Sequence, residues 1–330
     1  MKKRVLWKWT EYLMTFLLII TLNFMIPRLM PGDPFTFLSA EEEGQVFISY
    51  SQEQIDKYKA YYGLDKPLPV QYGNYLVNLC RGDIGYSIYY NVSVLEMIGK
   101  RLLWTVGIVL GAILISTAAG TVMGCFSAWY RDSLLDKLLY FLMITISEIP
   151  AFLVGILLLF ILAGQFGWFP LFGGMSSFAQ YDTSLERAKD ILHHAFLPVL
   201  TLSLTRVGGF YLLSRNSMLE VLAKDYMRTA RAKGLARVRI IFRHALKNAL
   251  LPVITRVFLS LGAMFGGAVL VENVFSYPGL GRLMREAVML RDYVLIQGIF
   301  LFVAILVLTM NLLADTVYKK LDPRVNYYDG

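Results

Sequence analysis

The residues of this 330-residue chain whose types could support bond-breaking chemistry stand at unsuitable spacings. His193 and His194 are adjacent, and neighbouring side chains on a helix point about 100° apart, so both cannot hold one metal ion without other ligands. No Cys or third His stands close to them, and we expect them to be interfacial residues. No G-x-x-x-x-G-K-[ST] phosphate-binding loop exists, because Gly99-Lys100 is followed by Arg101. We expect no catalytic, cofactor-binding or metal-binding residue.

Of the ionisable residues within long apolar stretches, where a charge is costly and is by default a functional candidate, two stand deepest. Glu148 and Arg206 each stand about ten residues from one end of such a stretch, which is about 15 Å deep if the stretch is a transmembrane helix. Pro150, a helix breaker, follows Glu148. The two charges are expected either to pair and pin adjacent helices or to line a passage. We favour pairing, because it satisfies both charges without water.

The elements that position these residues follow from an unusually apolar composition. The chain has 56% hydrophobic and 17% charged residues and a mean hydropathy of +0.53. This composition excludes a disordered protein and a collagen-like fibre, and the two cysteines exclude a disulfide scaffold. We therefore predict an all-α polytopic membrane protein.

A membrane-spanning helix needs about 20 mostly apolar residues, because the hydrocarbon layer is about 30 Å thick. We expect the first span to be uncleaved, since Pro27, Pro31 and Gly32 end it where a signal peptide would carry a small-x-small cleavage site. Six stretches qualify as transmembrane helices: Tyr12–Met30, Leu103–Trp129, Leu138–Ala163, Phe196–Leu213, Leu250–Val271 and Val294–Val317.

The net charge of +8 is distributed unevenly between alternate connecting segments. Segments 1–11, 130–137, 214–249 and 318–330 carry 18 Lys and Arg against 7 Asp and Glu, whereas segments 31–102, 164–195 and 272–293 carry 11 against 15. Basic residues concentrate on the cytoplasmic side of membrane proteins, so both termini are expected there. The basic surplus then reports topology, and we expect no nucleic-acid partner.

Two connecting segments carry further patterns. The segment 31–102 is rich in tyrosine and turn residues, which predicts a small helical outer cap with helices near Gln52–Tyr62 and Pro69–Leu79. In the segment 214–249, Asp225 suits a helix N-cap and Gly234 suits the left-handed residue after a helix, before a second, basic helix that enters the membrane. This pair of helices is typical of an interfacial amphipathic hairpin or of a docking surface, and the residue pattern does not separate the two.

The same inner segment resembles the coupling motif of ABC importer permeases. Its usual Glu-Ala-Ala start is replaced here by Thr229-Ala230-Arg231 or, earlier, by Tyr226-Met227-Arg228, so the acidic position is not preserved. Other motifs in the expected order are Met30-Pro-Gly-Asp-Pro34, Tyr62-Gly-Leu-Asp-Lys-Pro-Leu-Pro69, Gly82-Asp-Ile-Gly-Tyr-Ser87, Asp225-Tyr-Met-Arg-Thr-Ala-Arg-Ala-Lys-Gly-Leu235, Phe275-Ser-Tyr-Pro-Gly-Leu-Gly281 and Leu321-Asp-Pro-Arg324. On these motifs the chain is identified as a member of the dipeptide/oligopeptide/nickel branch, as a "B" type subunit.

The resemblance implies a multi-pass subunit of the cell or inner membrane, working in the lipid bilayer with a second homologous permease and an extracytoplasmic substrate-binding protein. It also implies two cytoplasmic ATPase subunits, which bind the ATP and Mg. The expected organisation is residues 1–30 as tail and first span, 31–102 as cap, and 103–330 as a five-helix core with a coupling loop over 214–249. The expected ATPase-coupling residues are Asp225, Tyr226, Thr229, Ala230, Arg231, Gly234, Leu235, Arg239 and Arg243.

The residue order at Pro278-Gly279 favours a type II turn, and with Phe275 it predicts a tight loop that could gate the passage. The branch imports di- and oligopeptides, and related systems carry oligosaccharides, nickel or metallophores, so these substrates stay alternatives. An ion-coupled secondary carrier and a membrane scaffold are alternatives from other classes, although no repeat between the halves favours a carrier.

Overall fold

The computed structural model describes residues 2–30, 52–234, 240 and 245–321. Their regular structure is helical, and one isolated antiparallel bridge joins Tyr86 and Ser93. The helices, in chain order, are α1 (Lys2–Leu29), α2 (Gln52–Tyr61), α3 (Leu68–Cys80), α4 (Val94–Trp129), α5 (Leu134–Glu148), α6 (Ala151–Leu158), α7 (Ser184–Leu222), α8 (Asp225–Ala232), α9 (Leu246–Val274), α10 (Leu280–Met289) and α11 (Tyr293–Leu321). A π-helical turn, Leu159–Gln165, continues α6.

Within the described residues, five helices are long and apolar enough to cross a membrane, namely α1, α4, α7, α9 and α11. A sixth crossing is possible if α5 and the segment Ala151–Gln165 form one broken span. These two pieces meet at 97°, so the span predicted over Leu138–Ala163 is broken at Pro150 and is not one straight helix. The physical reason is Pro150, which lacks the backbone N–H that a continuing helix needs and forces Ile149 into an extended conformation.

Several of these helices extend well beyond the apolar stretches that predicted them. Helix α7 begins twelve residues before the predicted Phe196 and ends nine residues after the predicted Leu213. Thr183 caps its start, because the Thr183 hydroxyl accepts a hydrogen bond from the backbone N–H of Glu186. Helix α4 begins at Val94 rather than Leu103. The helical backbone therefore continues through polar residues that hydropathy assigns to loops.

The chain divides into two compact units, residues 1–102 with 283–305 and residues 103–282 with 306–330. In the first unit, α3 packs against α1. Tyr72 lies edge-on to Phe24 with ring centroids 5.0 Å apart, and its hydroxyl is 2.8 Å from Thr21 Oγ1. Arg28 stacks on the Phe24 ring and donates a hydrogen bond to Gln71 Oε1 at 3.0 Å. The short helix α3 is thus tied to the end of α1 by aromatic and polar contacts together.

Within the same unit, the Gly82–Ser87 motif meets the start of α11. Asp292 is buried and caps α11, because its Oδ1 accepts a hydrogen bond from the Leu295 N–H at 3.0 Å. Its Oδ2 accepts from the buried Ser87 hydroxyl and from the Tyr89 N–H. Gly85 has a φ of +91°, which a glycine adopts without strain. The motif therefore serves as a docking loop for the last helix.

In the second unit, close approach between helices depends on residues without large side chains. Gly124 of α4 lies against the backbone of Tyr211 in α7, where an added Cβ would have no room. Gly208 of α7 lies against α5, and its N–H donates to Ser147 Oγ at 2.8 Å. Helices α4 and α5 therefore both pack directly on α7, whose buried residues run from His194 to Val221.

Candidate functional site: the predicted coupling region and outer loop

The short helix α8 begins at Asp225, three residues after α7 ends at Leu222. Its backbone is helical through Ala232, and the Thr229 hydroxyl donates to the Asp225 carbonyl at 3.2 Å. Gly234 follows with a φ of +69°, as predicted for the residue that ends the helix. A Cβ placed on Gly234 would meet nothing within 4 Å, so glycine is required here for its backbone conformation rather than for space.

Met227 anchors α8 to the helical core. Its side chain is fully buried, whereas Asp225, Tyr226 and Thr229 are exposed. Tyr226 also accepts a hydrogen bond from Asn248 Nδ2 at 3.1 Å, which links α8 to the start of α9. The apolar cluster around Met227 draws on the ends of α4 and α7 and the start of α9, and it comprises Ala128, Met218, Val221, Ile240, Ala245 and Ala249. One buried side chain thus connects α8 to three long helices.

A buried ion pair lies close to this anchor. Asp136 of α5 is 3% exposed, and Arg215 of α7 binds both of its carboxylate oxygens at 2.9 Å. Such a two-point guanidinium–carboxylate contact is the strongest geometry for this pair. Ser127 at the end of α4 donates to Asp136 and lies 2.7 Å from the Tyr211 hydroxyl. The Asp136 carboxylate therefore joins α4, α5 and α7.

The sequence analysis missed this network, because Asp136 and Arg215 were counted only as charges of connecting segments. The spacing of Ser133 and Asp136 is typical of a helix N-cap and could have indicated where α5 begins. In the structure, Ser133 Oγ accepts a hydrogen bond from the Asp136 N–H at 3.2 Å. The partner Arg215 had no such signal, since its burial depends on α7 continuing past Leu213.

Glu148 and Arg206 do not form the ion pair that the sequence analysis favoured. Glu148 is the last residue of α5 and is exposed, directly before the break at Pro150. Arg206 is half-buried, and its Nη2 lies against Gly267 of α9. The preceding residue, Ser147, is the one that faces α7, and Glu148 points about 100° away from it around the helix, so the two predicted partners are not brought together.

The predicted gate loop is held in place by Glu272, the fully buried carboxylate near the end of α9. Glu272 accepts hydrogen bonds from the Thr105 hydroxyl and from the Gly281 N–H, each at 2.6 Å. Thr105 Oγ1 in turn accepts from the Leu280 N–H at 2.8 Å. The carboxylate therefore caps α10 and ties it to α4.

Pro278-Gly279 does not form the predicted type II turn, because Gly279 lacks the positive φ which that turn requires. Ser276 has a positive φ instead, and Gly279 is needed because Glu272 lies where its Cβ would be. Phe275 and Tyr277 are buried, and Tyr277 packs edge-on to Trp104 at 5.7 Å. Burial, with the Glu272 charge nearby, raises the pKa of the Tyr277 phenol well above its usual range.

The adjacent histidines serve different local contacts. His193 Nε2 lies 2.8 Å from the Trp168 carbonyl, and His194 Nδ1 lies 2.9 Å from the Asp190 carbonyl. The Asp190 carboxylate accepts from the Ser176 N–H, the Ser176 hydroxyl and the Tyr181 hydroxyl, each at 2.7 Å. His193 thus fastens the segment that precedes α7, whereas His194 bonds within α7. Of the other predicted site residues, Leu235, Arg239 and Arg243 lie outside the described residues, as do the side chains of Ala230 and Arg231.

Residues 120–327 match the family described as binding-protein-dependent transport system inner membrane component. Relatives are similar over nearly their whole length. A probable peptide ABC transporter permease protein, y4tP of Sinorhizobium fredii, is 34% identical over 304 residues, covering 92% of this chain and 93% of its own. The dipeptide transport system permease protein DppB of Alkalihalophilus pseudofirmus is 34% identical over 318 residues, with the same coverage.

The glutathione transport system permease protein GsiC of Salmonella typhimurium is 33% identical over 313 residues, covering 95% of each chain. Among solved structures, a chain of the inward-facing MetNI methionine ABC transporter aligns with a TM-score of 0.57 at 13% identity, covering 69% of this chain and 97% of its own. The helical core described above therefore has the fold of an ABC transporter membrane subunit. By the family match and by these relatives, the chain belongs to the binding-protein-dependent transport system inner membrane components.

Proposed function

We propose that this chain forms one half of the membrane passage of an ATP-driven importer and that the imported substrates are peptides. The observation that carries the proposal is similarity over more than nine-tenths of the chain to permeases named for peptides, dipeptides and glutathione. Like the family's other permeases, the chain does no covalent chemistry in this proposal. ATP and Mg bind to two partner ATPase subunits, and an external binding protein delivers the peptide to this chain and a second permease.

The proposed topology has six spans, with α5 and the segment Ala151–Gln165 counted as one broken crossing. Both termini and the loop 214–249 lie in the cytoplasm, and the segment 31–102 forms an outer cap. The charge distribution supports this orientation, because the proposed inner segments carry 18 basic against 7 acidic residues. Gly234 and the exposed residues of α8 then lie on the same side of the membrane as the ATPases.

In this proposal α8 transmits movement of the ATPase subunits to the membrane helices. Its exposed residues, Asp225, Tyr226 and Thr229, form the docking face, and Met227 on the opposite side holds the helix to the core. A side chain buried among α4, α7 and α9 allows little independent motion, since packed interiors are as dense as organic crystals. A push on α8 therefore reaches three long helices at once.

The loop from Phe275 to Gly279 is proposed as part of the outer closure of the passage. Glu272 and Thr105 hold it to α4 and α9 by hydrogen bonds of 2.6 and 2.8 Å. A loop held by a buried carboxylate does not flap independently of its helices. It opens, in this proposal, only when α4 and α9 move.

The test is assembly and ATP turnover of the complete complex. The chain is expressed with its neighbouring transporter genes, purified through a tag on this chain alone, and assayed in lipid vesicles. We expect two ATPase subunits to co-purify and vanadate-sensitive ATP hydrolysis to rise when a peptide-loaded binding protein is added. A complex without an ATPase, or peptide uptake driven only by an ion gradient, would contradict the proposal and indicate a secondary carrier.

A matched pair of glycine variants tests the coupling role of the loop. Gly234→Val forces a β-branched residue into a left-handed conformation and should lower the stimulation of ATP hydrolysis by the loaded binding protein. Gly99→Ala lies in the helical part of α4 with open space around it and should leave that stimulation unchanged. Equal stimulation in both variants would refute the role given to Gly234.

A further inference from the structure

The segment 166–181 lies between the π-helical turn and α7 and has no regular secondary structure. We call it the outer strap. Its first part is fixed to α7 by two contacts. The Phe169 ring stacks on the Phe196 ring with centroids 4.7 Å apart, and His193 Nε2 lies 2.8 Å from the Trp168 carbonyl. The strap therefore begins from a firm attachment to α7.

The middle of the strap packs on the predicted gate loop. Gly173 donates a backbone hydrogen bond to the Phe275 carbonyl at 3.1 Å. The next residue, Gly174, is buried, and a Cβ there would lie 2.7 Å from Pro278 Cγ and 2.9 Å from Trp104 Cζ3. Only a residue without a side chain can approach the two rings so closely. The strap thus lies directly against the loop that the proposed function places in the outer closure.

The end of the strap is tied back to α7 by one carboxylate. Asp190 accepts hydrogen bonds from the Ser176 N–H, the Ser176 hydroxyl and the Tyr181 hydroxyl, each at 2.7 Å. Between the two bonded residues, Phe178 has a φ of +63°, which a bulky side chain rarely adopts. The carboxylate therefore holds a strained turn, and the strain favours its release.

The two attachments beyond Gly173 differ in their access to water. Separation at Gly174 would expose apolar surface of Pro278 and Trp104, which is unfavourable. The Asp190 side chain is 17% exposed, and Ser176 is exposed, so water can replace their hydrogen bonds at a small net cost. When the gate loop moves away from α7, the strap should stay on the loop and separate from Asp190.

We propose that Asp190 is the latch of the outer closure, which ties the strap and the gate loop to α7 until the passage opens outward. This inference rests on the proposed function. Asp190 acts through the strap and is a positioning residue. A contact made only in the closed state stabilises that state, so its removal shifts the population towards the outward-open state. In an importer driven by ATP, this shift should raise ATP hydrolysis in the absence of binding protein.

The first test measures basal ATP hydrolysis by the complete complex in lipid vesicles without binding protein. Asp190→Ala should raise the rate about tenfold, as the loss of hydrogen bonds to a charged acceptor would allow. Lys189→Gln, at the exposed neighbouring charge, should leave the rate unchanged. The double variant Ser176→Ala, Tyr181→Phe removes two hydrogen bonds from the strap side and leaves α7 intact. It should raise the rate severalfold, and it decides the test if Asp190→Ala fails to assemble.

The second test locks the strap to α7. Ser176→Cys and Asp190→Cys are combined in a Cys80→Ser background and joined by a short, reducible bis-methanethiosulfonate. We expect the cross-link to reduce peptide uptake at least tenfold and a reductant to restore it.

The matched control for this lock is a cross-link within α2. Glu53→Cys and Lys57→Cys replace an exposed salt bridge one helical turn apart and take the same reagent. Uptake should be unchanged in this control, because both positions belong to one helix.

Three results would overturn the proposal: peptide uptake that continues with the strap cross-linked to α7, basal hydrolysis that stays unchanged in the latch variants, or latch variants in which hydrolysis and uptake fall together. The last result would mean that Asp190 only stabilises the fold. Failure of the proposed function looks different, because the wild-type vesicles would then import no peptide with ATP.

Discussion

Asp136 is a buried carboxylate that joins three helices through its hydrogen bonds. Its carboxylate is bound by Arg215 at two points and by Ser127, so helices from three parts of the chain share one buried negative charge. If one member of a buried ion pair is removed, the other stays charged and unpaired. The stability lost in this way is larger than the stability that the intact pair adds relative to an apolar replacement of both residues. Substitution of Asp136 should therefore lower the free energy of unfolding far more than substitution of a neighbouring exposed charged residue.

Asp136→Ala should lower the free energy of unfolding, measured in detergent by titration with SDS, by about 3–5 kcal/mol. The matched control is Asp132→Asn, because Asp132 is exposed and its surface contact with Arg131 contributes about 0–1 kcal/mol. Asn also accepts the positive φ of position 132. Similar losses in both variants would show that the Asp136 pair does not stabilise the fold.

Individual residues were predicted from the sequence where a local rule applied. Gly234 was expected to take a left-handed conformation after a helix, and it does so. Glu148 and Arg206 were expected to meet because both lie deep in apolar stretches, but their meeting depends on which face of α5 packs on α7, and Ser147 lies on that face. Depth in a span is readable from the sequence, whereas the facing of two helices is set by packing across the whole unit.

Helix α8 is the element through which the proposed machine is coupled, and Met227 is its anchor. The helix has eight residues, too few to be stable alone, so its position depends on that buried contact. Among the described residues of α8, Met227 is the buried one, and the exposed Tyr226 adds one hydrogen bond, from Asn248. Its attachment is therefore open to a direct test.

Met227→Ala should remove this anchor at a cost of about 2–5 kcal/mol, because it leaves a cavity among Ala128, Met218 and Ala249. We expect ATP hydrolysis in the complex to continue while peptide uptake per ATP falls severalfold. Met227→Leu keeps the volume and should cost less than about 1.5 kcal/mol, with uptake retained. An alanine variant with normal uptake per ATP would show that α8 needs no anchor.

The positions of the long helices could be predicted from the sequence, because a helix that spans the lipid layer needs a run of about 20 apolar residues. The two short helices expected in the segment 31–102 are present as α2 and α3. Two things could not be predicted in this way. The 97° bend after α5 depends on how Pro150 is accommodated, and the helical extension Ser214–Leu222 is held by tertiary contacts of Arg215 and Met218.

At the scale of the whole molecule, the orientation in the membrane can be tested with a cysteine that the chain already has. Cys80 ends α3 and is exposed, whereas Cys125 is half-buried in α4. With the cap outside, a membrane-impermeant maleimide should label the chain in spheroplasts, and Cys80→Ser should abolish the labelling. Labelling that requires inside-out vesicles would reverse the proposed topology.

Helix α8 is proposed as the face on which an ATPase subunit docks. Photo-crosslinking from a benzoyl-phenylalanine introduced at Tyr226, which is 41% exposed, measures this contact directly in the assembled complex. The same probe at the fully exposed Phe178, in the proposed outer segment 164–195, is the matched control. We expect an adduct with an ATPase subunit from position 226 and none from position 178. An ATPase adduct from position 178, with none from position 226, would contradict it.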